Sequence, residues 1–140
     1  IFKRAHEHHG TSFVEIFQNC IVYNDGVFAQ FTARDVAADS EILLENGKPL
    51  IFGKERTLGL RVKPGFFEME VVTIGTDGIT EKDILVHDET NRGLADMLAR
   101  MEPPSFPVAI GVIYCHPTPS YEDGVKDHMI EAKKHGELRQ

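Results

Sequence analysis

Ser12-Phe13-Val14-Glu15-Ile16-Phe17-Gln18-Asn19-Cys20-Ile21-Val22-Tyr23-Asn24-Asp25-Gly26 is the stretch whose reading decides the fold. Residues 12–17 are nearly continuous apolar, which predicts a strand covered on both faces. A polar pair and Cys20 follow. Asn24-Asp25-Gly26 then supplies turn chemistry. A cysteine just past the end of a core strand has a fixed position and faces outward. That is a place where a fold can hold a metal or cluster ligand. By residue type alone, a cysteine is more often a buried thiol that packs as a small hydrophobe. The rest of the chain has to decide between the two.

Upstream, the chain opens Ile1-Phe2-Lys3-Arg4, with no Met and no capping residue. Phe2, Ala5 and His9 share a face at helical spacing, and Gly10 is a helix stop. The pattern predicts the last turns of a helix, and we expect a piece of a longer chain.

Downstream, Val27 to Phe31 is apolar but short, and its period does not separate strand from helix. Thr32 or Asp35 is placed to cap a short helix through Ala38. Residues 41–45 and 49–52 flank Asn46-Gly47, a hairpin signal. Leu58 to Val62 predicts a strand that Pro64-Gly65 breaks. Phe66 to Ile74 predicts its continuation, with Phe67, Met69 and Val71 on one face and Glu68 and Glu70 on the other. Thr76-Asp77-Gly78 is a turn, and Thr80 with Asp83 forms a capping box. Ile84-Leu85-Val86 predicts a short buried strand ending at His87-Asp88. Leu94, Met97, Leu98 and Met101 predict an amphipathic helix stopped by Pro103-Pro104. Residues 108–114 predict a last strand. Tyr121, Val125, Met129 and Ala132 trace a final helix ending near Gly136. The fold class is α/β, with an antiparallel middle portion.

Composition narrows the function. The chain has 140 residues, 41% hydrophobic and 26% charged, which is enough for one domain with a core. A net charge of −7 argues against nonspecific binding to nucleic acid or anionic membranes. No apolar run approaches the roughly 20 residues of a membrane-spanning helix. Two cysteines give no disulfide framework, and a reducing cytoplasm fits them.

Five groups are candidates for chemistry. His6, His8 and His9 invite a metalloenzyme reading, but no pair has the i, i+4 spacing that clasps one ion on a helix. Near a helix C-terminus they serve the dipole instead. His87-Asp88, at a strand end, could do acid/base work. It could equally be a turn in which Asp88 or Thr90 caps the next helix. Lys54, Arg56, Arg61 and Lys63 form a basic cluster for a carboxylate, a phosphate or an acidic protein, or simply a solvated face. Cys115-His116 could lower a thiol pKa, but adjacent side chains on an extended strand point apart. Cys20 is the fifth.

Several blocks, in order, are similar to one family. They are Ala5-His6-Glu7-His8-His9-Gly10-Thr11-Ser12-Phe13-Val14-Glu15-Ile16-Phe17-Gln18-Asn19-Cys20 with Asn24-Asp25-Gly26, then Gly47-Lys48-Pro49-Leu50-Ile51-Phe52-Gly53. Ile84 to Asp88, Pro107 to Val112 and Pro117 to Asp123 follow. Together they resemble the β subunit of the 2-oxoacid:ferredoxin oxidoreductases, most like the 2-oxoglutarate branch. Such enzymes decarboxylate a 2-oxoacid oxidatively to its acyl-CoA and pass the electrons to ferredoxin. They use thiamine diphosphate, Mg²⁺ and a [4Fe-4S] cluster. The resemblance implies that residues 1–32 are the C-terminal edge of a thiamine-diphosphate-binding domain and that 33–140 are the C-terminal domain of the β subunit. It implies an α subunit, ferredoxin, coenzyme A and a 2-oxoacid as partners of the whole enzyme.

By the same resemblance Cys20 is the fourth cluster ligand, the other three lying near the N-terminus of the β subunit. The sequence departs from the family pattern in two ways. Ile21 stands where Pro is common, and the Gly-Asp-Gly…Asn-Asn motif for diphosphate and Mg²⁺ is absent from these residues. We therefore expect this chain alone to bind neither cofactor and to be inactive. A non-catalytic binding or scaffolding module is the alternative.

Overall fold

The computed structural model describes residues 1–134 and 136. In chain order the elements are α1 (Phe2–Glu7), α2 (Ala29–Thr32), α3 (Ala37–Ser40), β1 (Glu41–Leu44), β2 (Ile51–Phe52), β3 (Leu58–Val62) and β4 (Met69–Thr73). A single 3₁₀ turn at Glu81–Asp83, α4 (Arg92–Ala99), β5 (Val108–Gly111) and α5 (Tyr121–Lys134) complete them. This is a mixed α/β arrangement with one small parallel and one small antiparallel sheet. The chain divides into two compact units, one of Ile16–Cys115 and one of Ile1–Glu15 with the chain from His116 onward.

The larger unit is built on β2-β3-β4, an antiparallel sheet in which Gly59 faces Val72 and Arg61 faces Glu70. Alternation puts Leu60 and Val71 on one face and Gly59 and Val72 on the other. Both faces are covered. Leu60 is fully buried, and Ile84 packs so closely over Gly59 that a Cβ there would lie 2.5 Å from its Cδ1. Glycine at 59 is thus a packing requirement.

β1 and β5 form the second sheet, parallel, with Glu41 opposite Val108 and Leu44 opposite Gly111. A Cβ on Gly111 would sit 2.8 Å from the Leu44 carbonyl oxygen, and its φ of 143° suits only glycine. Ile42 and Leu44 point into the same core as Leu50, Leu60, Leu94 and Leu98. Asn91 caps α4 by accepting from the Leu94 N–H at 3.0 Å. Of the predicted stripe the helix buries Leu94 and Leu98, with Ala95 beside them; Met97 is half-buried and Met101 lies beyond its end at Ala99.

Several expectations are corrected. Residues 12–17 form no strand: Phe13 is 90% exposed and Ile16 63%. An apolar run becomes a strand only when a neighbouring backbone accepts its hydrogen bonds, and here no described strand lies alongside. The predicted hairpin of 41–45 with 49–52 does not form either. Asn46-Gly47 is a turn, closed by Lys48 N–H to Glu45 O at 3.0 Å, but β1 leaves it to pair with β5. The 47–50 backbone bonds instead to residues 85–87, through Gly47 N–H to His87 O, His87 N–H to Lys48 O and Leu50 N–H to Leu85 O.

Smaller differences follow the same logic. The strand predicted from Phe66 begins at Met69, because a turn bonds Phe66 N–H to Lys63 O, and Phe67 is exposed rather than facing with Met69 and Val71. Ile84 to Val86 reduces to one bridge, Val86 with Pro49. β5 ends at Gly111 rather than residue 114. Neither Thr32 nor Asp35 caps a helix; Thr32 Oγ1 donates back to Phe28 O at 2.9 Å. The Thr80–Asp83 capping box is present as read.

In the smaller unit α1 is six residues long and ends at Glu7, short of the His9 expected from spacing. α5 starts from a reciprocal cap. Ser120 Oγ accepts from Asp123 N–H at 3.2 Å, and Asp123 Oδ2 accepts from Ser120 N–H at 3.0 Å. Its predicted stripe is present but outward-facing, with Tyr121, Val125 and Met129 all exposed. The expected end near Gly136 runs through His135, which lies outside the described residues.

Candidate functional site

Local chemistry closes a loop around Cys20. Before it, Phe17 makes edge-to-face contacts with Phe28 and Phe31, at ring-centroid distances of 5.2 and 5.3 Å. Phe31 is buried, so this trio fixes both stems of the loop to the larger unit. Inside the stems, Asn19 Nδ2 donates to Asp25 Oδ1 at 2.8 Å. Asn19 Oδ1 accepts from the Gly26 N–H at 2.9 Å. Asn19 thus uses both ends of its amide to clamp residues 25 and 26. Gly26, at φ 73°, takes the left-handed turn conformation.

Within the clamp Cys20 pairs with Asn24, whose N–H bonds to the Cys20 carbonyl at 2.9 Å. The intervening turn exposes Ile21, Val22 and Tyr23. The Tyr23 N–H, then the Val22 N–H and to a lesser degree that of Asn24 draw the Cys20 pKa below the ordinary thiol value. Partial positive charge from converging amides favours the thiolate, and the thiolate is the form that binds metal. The thiol is exposed and in no disulfide. The outward, fixed position expected from sequence is therefore found, but the loop clamp supplies it rather than a strand end.

The other candidates disperse. His6 lies on α1 and His8 at its C-terminal end, while His9 Nε2 meets Asp123 Oδ2 at 2.6 Å. That contact and the Ser120 bonds lower the Asp123 pKa to about 2, the Ser120 backbone bond being the largest cause. Among the described residues no group of three or more His, Cys, Asp or Glu is placed to hold a metal ion.

His87 is only 1% exposed, and its Nε2–H donates to the Val112 carbonyl at 2.8 Å. Buried this way, it has no access to a substrate. Its Nδ1 finds no partner among the described residues. Asp88 turns away to accept from the Thr90 N–H and hydroxyl, at 2.9 and 2.7 Å, and these bonds lower its pKa. The His–Asp pair is thus a structural turn, and Asn91 rather than Asp88 or Thr90 caps α4.

The basic cluster separates too. Arg61 is held by Glu70 at 2.6 Å, Lys63 lies 4.9 Å over the Phe66 ring, and the Lys54 N–H bonds to Asp39 Oδ1. Arg56 alone lines a cleft of about 370 Å³, together with Lys48, Glu41, Glu45 and an apolar floor that includes Leu43 and Phe52. Cys115 is half-buried, with its N–H bonded to Glu89 O.

Sequence reasoning read Asn24-Asp25-Gly26 as a turn and missed the role of Asn19. The available signal was an Asn and an Asp flanking a cysteine at six residues' separation, a spacing at which one side chain can close a loop. Lys48 was missed because the residues that join it at the cleft come from β1 and from the turn after β2.

The comparisons bear on this geometry. Over 136 residues, 95% of this chain, the sequence is 29% identical to the 2-oxoglutarate oxidoreductase subunit KorB of Mycobacterium tuberculosis (strain ATCC 25618 / H37Rv). The chain spans 35% of that protein's length. No known family profile matches the chain. No solved structure matches it. The similarity to a 2-oxoacid oxidoreductase subunit agrees with the kind of protein read from the sequence. No helix among the described residues is long and apolar enough to cross a membrane.

Proposed function

We propose that this chain is the C-terminal part of the β subunit of a 2-oxoacid:ferredoxin oxidoreductase, with 2-oxoglutarate as the oxoacid. The carrying observation is the clamped loop at Cys20, in a chain similar over 95% of its length to a 2-oxoglutarate oxidoreductase subunit. An exposed thiol that amides favour as the thiolate suits a [4Fe-4S] cluster, whose irons take cysteine sulfur. The donor set fits one ligand of four: among the described residues no group of three or more His, Cys, Asp or Glu is placed to hold a metal ion.

In the whole enzyme, bound thiamine diphosphate with Mg²⁺ supplies the carbanion chemistry and the cluster carries electrons toward ferredoxin. This chain's own residues have a narrower task. Cys20 would hold one iron. Asn19 and Asp25 would keep that thiolate in place. The exposed run Phe13–Phe17 would complete the sheet of the thiamine-diphosphate-binding domain, giving its backbone the partners it lacks here. Residues 1–32 would then belong to that domain and 33–140 to the C-terminal domain. Further surface would be covered by the α subunit, and the enzyme would work in the cytoplasm.

The test is anaerobic assay of the full-length protein with its companion subunit. We expect reduction of methyl viologen that requires 2-oxoglutarate, coenzyme A and thiamine diphosphate, and none from the 140-residue chain alone. No reduction with 2-oxoglutarate, pyruvate or branched 2-oxoacids would overturn the reading.

A further inference from the structure

We infer that the cleft between β1 and the turn after β2 binds a small molecule that carries both signs of charge on an apolar body, of the class of free aliphatic amino acids. Neither the cluster nor the oxoacid chemistry enters this site.

Four observations meet there. The first is volume: about 370 Å³, within the range of small-molecule sites. The second is an apolar side chain left in the open. Period two puts Ile42 and Leu44 in the core, so Glu41, Leu43 and Glu45 share the opposite face. Leu43 is 65% exposed there and lines the cleft with Phe52. The third is charge. Glu41 and Glu45 line the cleft together with Lys48 and Arg56. Among the described residues none of these four side chains has an ion-pair or hydrogen-bond partner. A purely anionic ligand would meet the two glutamates, and a purely cationic one the two basic residues. A molecule that carries both signs can satisfy the set.

The fourth is strain. Arg56 has a φ of 53°, in the left-handed region that a residue with a Cβ rarely adopts. Its turn is closed by the Arg56 N–H on Gly53 O at 2.9 Å and anchored by the Lys54 N–H on Asp39 Oδ1 at 2.8 Å. Glycine would hold that turn without steric cost. Arginine holds it at a cost, and its exposed side chain adds nothing to the core. Strain of this kind points to function. Lys48 is also fixed, its N–H on Glu45 O at 3.0 Å and its O on the His87 N–H at 2.8 Å. Both cations therefore project from backbone already set, which reduces the ordering that binding requires. In the complex the Arg56 guanidinium takes the carboxylate through paired N–H groups, the glutamates take the ammonium, and the aliphatic side chain covers Leu43 and Phe52.

The test is calorimetric titration of the full-length protein, with its companion subunit, using L-leucine, L-leucinamide and 4-methylpentanoate. The second probe lacks the carboxylate and the third the ammonium. We expect L-leucine to bind saturably and each analogue to bind about tenfold more weakly or worse. Arg56→Gly should weaken L-leucine by about the same factor while melting no lower than the parent, because it removes the strain together with the guanidinium. A protein with both Glu41→Gln and Glu45→Gln should bind L-leucine no better than the parent binds 4-methylpentanoate. Absence of saturable L-leucine binding would overturn the inference, as would an analogue that binds as tightly as L-leucine. So would an Arg56→Gly protein that keeps the parent's affinity or melts below it.

Discussion

Two regions of this chain are comparably apolar and have opposite fates. Residues 41–60 bury Ile42, Leu44, Leu50, Ile51, Phe52 and Leu60 in one core. Residues 13–23 leave Phe13, Ile16, Ile21, Val22 and Tyr23 exposed. The difference lies in backbone partners. β1 finds β5, β2 finds β3, and the 47–50 segment finds residues 85–87. The run from 12 to 17 finds no strand among the described residues. Apolar side chains reward burial only after the backbone that carries them has satisfied its own polar groups. The first region makes the fold, and the second presents the features from which function is proposed.

The contrast can be broken most forcefully in the core. Ile42→Ala removes a fully buried side chain that β1 points among Leu50, Leu60 and Leu94. It should cost about 2–5 kcal/mol in urea unfolding, the range for a large aliphatic truncated in a packed site. Next comes Gly59→Ala, which drives a methyl into Ile84 and should cost about 1–3 kcal/mol by overpacking. If either change is neutral, the core is looser than its packing implies.

A smaller effect belongs to the unit of α1 and α5. Asp123 is held at a pKa of about 2, below its ordinary 3.8, by Ser120 and His9. A depressed carboxylate pKa contributes stability above the unfolded value that is lost as pH falls through the folded one. The α5 cap should therefore weaken between pH 3.8 and about 2, and not above. Carboxyl NMR shifts of Asp123 read this directly, and a midpoint near the ordinary value would contradict it. The smallest effect sharpens the comparison. Phe13→Ser, at a side chain 90% exposed, should change stability by no more than about 0.5 kcal/mol while reducing binding of an apolar dye.

What could be read in advance follows the range of each signal. The Thr80–Asp83 box, the Asn46-Gly47 turn, the α4 stripe and the β3–β4 pair around Pro64-Gly65 are local, written within a dozen residues. The box and the turn appeared where expected, the α4 stripe as far as Leu98, and the strand read from Phe66 only from Met69. The partner of β1 was not legible, because Glu41 meets Val108 across the whole intervening sheet and helix. A turn between two apolar runs specifies that the chain reverses, not that the runs pair. The strand predicted at 12–17 failed for the same reason, since strand formation depends on a neighbour the period does not name. At the candidate site the exposure of Cys20 was legible, though not for the reason given, since the strand it was to follow does not form. Its clamp was not, because one Asn side chain reaching two residues leaves no periodic trace.

The central proposal is that in the full-length protein Cys20 holds iron and Cys115 does not. The most direct measurement is iron and acid-labile sulfide per protomer in the full-length protein, purified anaerobically, for Cys20→Ser beside Cys115→Ser. The account predicts that Cys20→Ser loses the cluster, whereas Cys115→Ser keeps the parent's content. Equal retention in both variants would contradict it, as would a full-length parent that carries no cluster.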